Sequence, residues 1–225
     1  MQKFKVTFLL DSSNLWFEKT IKKYDFKLKK KYIFKFSKNY NYVKNQDLVF
    51  PLSYTKILPE KFLASNKLVL IIHPSKLPAY RGFAPIQYQV LNNQKKIYIS
   101  LIKATKKVDA GPVYLQDHFK LDGTELSDEI RTKQGISFLK ILNKFLINYP
   151  NISYKSQKGK AFFKKRRSPK DSELNINKNI KEQFNHLRIN DNKKYPSFFH
   201  YKNIKYLIKI FKDLKKPTPI KKLKS

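Results

Sequence analysis

The stretch Leu68-Val69-Leu70-Ile71-Ile72-His73-Pro74-Ser75-Lys76-Leu77-Pro78-Ala79-Tyr80-Arg81-Gly82 decides how the chain is read. Leu68 to Ile72 is apolar, β-branched and without alternation, the pattern of a strand covered on both faces. The polar run after it, punctuated by two prolines, reads as a loop at the strand's carboxyl end. Upstream, Lys5 to Asp11 and Asp47 to Leu52 are also read as buried strands, the first ending in the polar loop Asp11-Ser12-Ser13-Asn14. Downstream, Ile97 to Ala104 and Val113 to Phe119 read as two more. Helices are expected from about Trp16, over Lys56 to Ala64 with Pro59 in the first turn, and over Ala84 to Leu91. The longest helix is expected over Thr124 to Tyr149. Thr124 would cap it, acidic residues fill its first turn, and Phe138, Leu142, Phe145 and Tyr149 share one face. Gly135 is a possible kink in it. Strands alternating with helices predict an α/β fold: an open, mostly parallel sheet with helices on both faces, covering residues 1–150.

Residues 151–160 are polar and read as a linker. Residues 161–211 form a small C-terminal extension, with a short helix near Asn179 to Leu187. A hairpin follows, turning through Lys202-Asn203 and carrying Phe198, Phe199 and Tyr206 to Ile210. Residues 212–225 are a basic tail.

The chain has 225 residues, 41% of them hydrophobic and 15% aromatic, enough to pack a core. It has no cysteine, which excludes disulfides, thiolate metal sites and a cysteine nucleophile. No apolar run reaches the roughly 20 residues of a membrane span. The N-terminus reads as a strand and not as a signal peptide, so the expected location is cytoplasmic. The formal net charge is +33. Either a polyanionic partner or compositional drift explains it. Only five of the 49 cations are arginine, and residues with A/T-rich codons abound, which favours drift and argues against nucleic acid as a partner.

In open α/β sheets ligands gather beyond the carboxyl ends of the strands. Two loops there carry reactive groups: His73 to Gly82, and Val108-Asp109-Ala110-Gly111-Pro112. Two of only five glycines, Gly82 and Gly111, lie in them, which marks backbone that tolerates no side chain. Neither a dinucleotide fingerprint nor a P-loop can be written with these five glycines. His73 paired with Asp109 is the candidate for proton transfer.

His73-Pro-Ser75-x-Leu-Pro78-x-x-Arg81-Gly82 together with Asp109-Ala-Gly111-Pro112 resembles the two signature loops of the folate-dependent formyltransferases. The spacing of 36 residues from His73 to Asp109 fits, as does Ile57-Leu58-Pro59 upstream. The resemblance implies a Rossmann-like core and transfer of a formyl group from 10-formyltetrahydrofolate to an amine, without metal. It implies His73 and Asp109 as catalytic residues. Lys56, Ile57, Leu58, Thr105 and Val108 would hold the folate. Asn14, Trp16, Ser75, Lys76 and Arg81 are the expected substrate contacts, although Trp16 could serve the core and Arg81 could brace its own loop. The family motif places asparagine two residues before the histidine, where this chain has Ile71.

Arg166-Arg167-Ser-Pro169-Lys-Asp171 resembles the segment that follows the core in tRNA and sugar formyltransferases, and the hairpin region resembles the small C-terminal extension of nucleotide-sugar formyltransferases. Asp11-Ser-Ser-Asn14-Leu-Trp16 resembles a branch acting on amino sugars, as in the pseudaminic acid pathway. The expected acceptor is therefore a nucleotide-linked 4-amino-deoxy sugar, and a homodimer is plausible. The alternatives are a methionyl-tRNA formyltransferase-like enzyme, which normally adds a β-barrel that does not fit after residue 160, and a binding protein impaired by Ile71.

Overall fold

The computed structural model describes residues 2–12 and 14–213. Its elements in chain order are β1 (Phe4–Leu10), α1 (Glu18–Lys23), β2 (Tyr32–Ser37), β3 (Leu48–Leu52), α2 (Glu60–Ala64), β4 (Leu70–His73), β5 (Arg81–Gly82), α3 (Pro85–Leu91), β6 (Lys96–Lys103), β7 (Val113–Lys120), α4 (Ser127–Asn148), β8 (Phe163–Lys164), α5 (Phe184–Ile189), β9 (Ser197–Tyr201) and β10 (Ile204–Ile208). Single 3₁₀ turns at Leu15–Phe17, Tyr40–Tyr42 and Pro169–Ser172 connect them. Most of the tail, residues 214–225, lies outside the described residues.

β1 lies between β2 and β3, parallel to both. A parallel bridge from Val49 to Val69 joins β3 to the approach of β4. β6 runs against both of its neighbours, β4 and β7. The order is thus β2-β1-β3-β4-β6-β7, with β6 alone reversed, which is the mostly parallel α/β sheet expected. Every position of β3 is buried, as a strand covered on both faces requires.

α4 lays Ile130, Phe138, Ile141, Leu142, Phe145 and Leu146 into the main core. It starts at Ser127, not at Thr124. The Leu126 N–H donates to Glu129 at 2.8 Å, while Thr124 is tied into a preceding turn on Asp122. Gly135 does not divide the helix. A Cβ there would stand 3.4 Å from the Phe17 ring, so the glycine lets Phe17 and Trp16 pack closely. Lys31 Nζ and the Tyr32 hydroxyl take up carbonyls of the last turn, Tyr32 to Leu146 at 2.6 Å.

The segment read as a linker is docked on the core. Lys155 exchanges both backbone hydrogen bonds with Val113 at 2.8 Å, and β8 pairs with β5. In the extension α5 begins at Phe184, later than the sequence indicated, because the Asn179 side chain closes a turn on the Glu182 N–H. β9 and β10 form the expected hairpin, and Lys202 and Asn203 both take positive φ at its turn. Arg188 of α5 and Glu125 pin the extension to the start of α4. No helix among the described residues is long and apolar enough to cross a membrane.

Candidate functional site

A cleft of about 420 Å³ opens over the loops that follow β1, β3 and β4 and the loop joining β6 to β7. Ile130, Arg131, Gln134 and Phe138 of α4 form its other wall. His73 is the last residue of β4 and is 5% exposed. Its Nε2 lies 2.8 Å from the Tyr80 carbonyl, which can only accept, so Nε2 carries a proton. Nδ1 lies 3.4 Å from Asp109 Oδ2. That carboxylate oxygen also accepts the Gly82 N–H at 2.9 Å.

The two glycines read from the sequence account for this geometry. At Gly111 a Cβ would fall 1.8 Å from the Lys103 carbonyl oxygen, so only glycine lets the Asp109 loop lie against β6. Gly82 has φ +91°, and its Cβ would meet the Lys164 carbonyl at 2.6 Å. The first glycine seats the loop carrying Asp109, and the second lets β5 pair closely with β8.

Lys56, Ile57, Leu58, Thr105 and Val108 all line the cleft, as do Asn14 and Trp16. Ile57 is 80% exposed at the rim. Trp16 does both things open to it, packing on Phe17 and Phe138 while facing the cleft. Asn14 donates to the Ser53 carbonyl at 2.9 Å and ties the first loop to the third. Three expected substrate contacts do not reach the cleft. Ser75 is fully buried, and its hydroxyl is spent on the Ala79 carbonyl at 2.6 Å. Lys76 points outward over the Tyr98 ring, 5.2 Å from its centre. Arg81 donates to Gln157 Oε1 at 2.6 Å and braces its own loop.

Ile71 lines the cleft where an asparagine would present an amide. Besides Asn14, two further side-chain amides line it, Gln87 and Gln134; these escaped sequence reasoning, as did Arg131. Arg131, Gln134 and Phe138 recur at spacings of three and four, a periodicity that marks one face of α4. Arg131 pairs with Asp191 at 2.8 Å. Burial alone would raise the Asp191 carboxyl, but the N–H groups of Lys193 and Lys194 and the Arg131 guanidinium hold it below the usual range. Among the described residues, no group of three or more His, Asp or Glu side chains forms a metal site.

A folate fits these surroundings. The volume suits a drug-sized ligand, the walls are largely apolar, and among the described residues no backbone hydrogen bond engages the N–H groups of Lys56, Ile57 or Leu58.

Residues 15–140 match the family model described as formyl transferase. The chain is 33% identical over 140 residues to the methionyl-tRNA formyltransferase of Ligilactobacillus salivarius (strain UCC118), covering 60% of this chain and 44% of that protein. It is 32% identical over 162 residues to that of Pseudothermotoga lettingae, covering 71% and 54%. The chain therefore spans about half the length of these curated relatives. Among solved structures, a methionyl-tRNA formyltransferase from Clostridium thermocellum superposes with TM-score 0.76 at 20% identity, covering 90% of each chain. A 4-N formyltransferase from Francisella tularensis gives 0.67 at 17%, covering 92% of this chain and 97% of that one. HypX from Aquifex aeolicus in complex with tetrahydrofolic acid gives 0.69 at 14%, covering 93% and 38%. At these identities the structures share the fold.

Proposed function

The chain belongs to the formyl transferase family, and from that premise we propose that it transfers a formyl group from 10-formyltetrahydrofolate to an amine, with His73 and Asp109 as the catalytic pair. The observation that carries this reading is the pairing of His73 Nδ1 with Asp109 Oδ2 within the cleft. The folate supplies the electrophilic formyl carbon. Because Tyr80 holds Nε2 protonated, the neutral ring keeps its lone pair on Nδ1. Nδ1 is then the atom that takes the proton released as the amine bonds to carbon. Once Nδ1 carries that proton it can donate to Asp109, which stabilises the imidazolium, while the Tyr80 carbonyl keeps the ring oriented. The same Nδ1–H can return its proton to the folate nitrogen as its bond to the formyl carbon breaks. The apolar walls at Ile71, Ile72 and Leu58 keep water from competing.

For the acceptor we favour the amine of an aminoacyl-tRNA. The sequence relatives at 31–33% identity over 140 or more residues are named methionyl-tRNA formyltransferases. The nucleotide-linked 4-amino sugar remains the second reading, supported by the C-terminal hairpin and the Francisella likeness. Mass spectrometry after incubation with 10-formyltetrahydrofolate, methionyl-tRNA and a panel of nucleotide-linked 4-amino sugars separates them. The formylated product names the acceptor, and no product on any acceptor refutes the transfer.

A further inference from the structure

We propose that Gln157, in the segment following the core, is a positioning residue for Asp109; this rests on the formyl-transfer reading. Its Nε2 donates to the Asp109 carbonyl and to the Gly111 carbonyl, each at 2.8 Å. Its Oε1 accepts from Arg81 Nη2 at 2.6 Å. A primary amide has two hydrogens and one carbonyl oxygen, and each finds a partner here.

The contacts close a ring. Arg81 is followed by Gly82, whose N–H donates to Asp109 Oδ2. Asp109 is therefore held at its carboxylate by Gly82 and at its main chain by Gln157, and Arg81 links the two holds. The loop needs this. Asp109 sits at φ 50°, a conformation an aspartate tolerates but does not prefer. Gly111 has no side chain to pack, and none would fit. Gln157 reaches the loop from 48 residues away, carried in by the pairing of Lys155 with Val113. The chain after residue 150 thus completes the setting of the catalytic pair.

Gln157→Glu is the discriminating variant. It keeps the size and the contact to Arg81, but a carboxylate cannot donate to two carbonyls. Misplacement of a catalytic group by about 1 Å costs on the order of 10²-fold. The expected result is a kcat about 10–100-fold lower, with KM for 10-formyltetrahydrofolate and the melting temperature near wild type. In an Asp109→Asn background the same change should cost little more, because the two residues act through one hold. Hydrogen exchange at the amides of residues 109–111 should quicken in Gln157→Glu. A wild-type kcat, fully additive losses, or unchanged exchange would each overturn the proposal. Exchange needs no turnover, so it tests the hold even where wild-type protein formylates nothing, an outcome that would instead refute the transfer reading.

Discussion

The Nδ1 atom of His73 stands 3.4 Å from Oδ2 of Asp109, while the Tyr80 carbonyl holds the opposite ring nitrogen at 2.8 Å. The Tyr80 carbonyl fixes the ring on one side, and the Asp109 carboxylate stands on the other. On the proposed mechanism, His73→Ala removes the proton acceptor and Asp109→Ala the group that stabilises it. Each is expected to lower transfer by about 10²–10⁴-fold while leaving the circular dichroism spectrum unchanged. Full activity in either variant would remove the pair from the mechanism.

Ile71 faces the cleft from β4, half-buried, with no hydrogen-bond donor. Losing one donor to a developing oxyanion costs about 10²–10³-fold in enzymes where it has been measured. Ile71→Asn is therefore expected to speed single-turnover transfer. Burying less apolar surface should also lower its unfolding free energy, by about 1–2 kcal/mol. A slower variant would mean that another cleft group, such as Gln134, already serves the oxygen.

Gly111 and Gly123 offer a steric contrast. A methyl group at Gly111 meets the Lys103 carbonyl, whereas at Gly123, with φ +107°, nothing lies within 4 Å. Gly111→Ala should cost about 3 kcal/mol or more, and Gly123→Ala about 1–2 kcal/mol from backbone strain alone. Urea unfolding of the two variants measures the difference, and equal costs would show that the Asp109 loop is not seated as described.

The acid limb of stability should depend on Glu125. Burial alone would raise its carboxyl, but Lys133 and the N–H groups of Asp122 and Gly123 hold it below the ordinary value. A depressed folded-state value stabilises the protein above the unfolded value of about 4.3, and that contribution is lost as pH falls through the folded one. Glu125→Gln removes it and leaves the buried Arg188 without its charge partner, at about 3 kcal/mol near neutral pH. Plotting the urea midpoint against pH from 6 to 3 should give a shallower decline for Glu125→Gln. Parallel curves would contradict the assignment.

The sheet was legible because its inner strands carry unbroken apolar runs and its reactive loops carry prolines and rare glycines. β2 was not. Tyr32 to Ser37 mixes Lys35 and Ser37 with aromatics at the sheet's edge, and only Tyr32 is fully buried. Within the site, the cleft positions of His73 and Asp109 could be read from their motifs, and so could those of Lys56 to Leu58 at the rim. Ser75, Lys76 and Arg81 are expected as substrate contacts on the family resemblance alone. The loop turns at once, drives Ser75 inward and points Lys76 away. Gln157 left no local signal at all. Its partners lie 46 to 76 residues away, and only the folded chain brings them together.

The most direct test follows the conversion of 10-formyltetrahydrofolate to tetrahydrofolate with acceptor present, in wild type and His73→Ala. Folate binding is read in parallel from Trp16, the single tryptophan, which lines the cleft. The account predicts that both proteins bind folate with similar affinity and that His73→Ala turns it over at least about 10²-fold more slowly. Equal turnover by the two proteins, or binding without turnover in wild type, would contradict it.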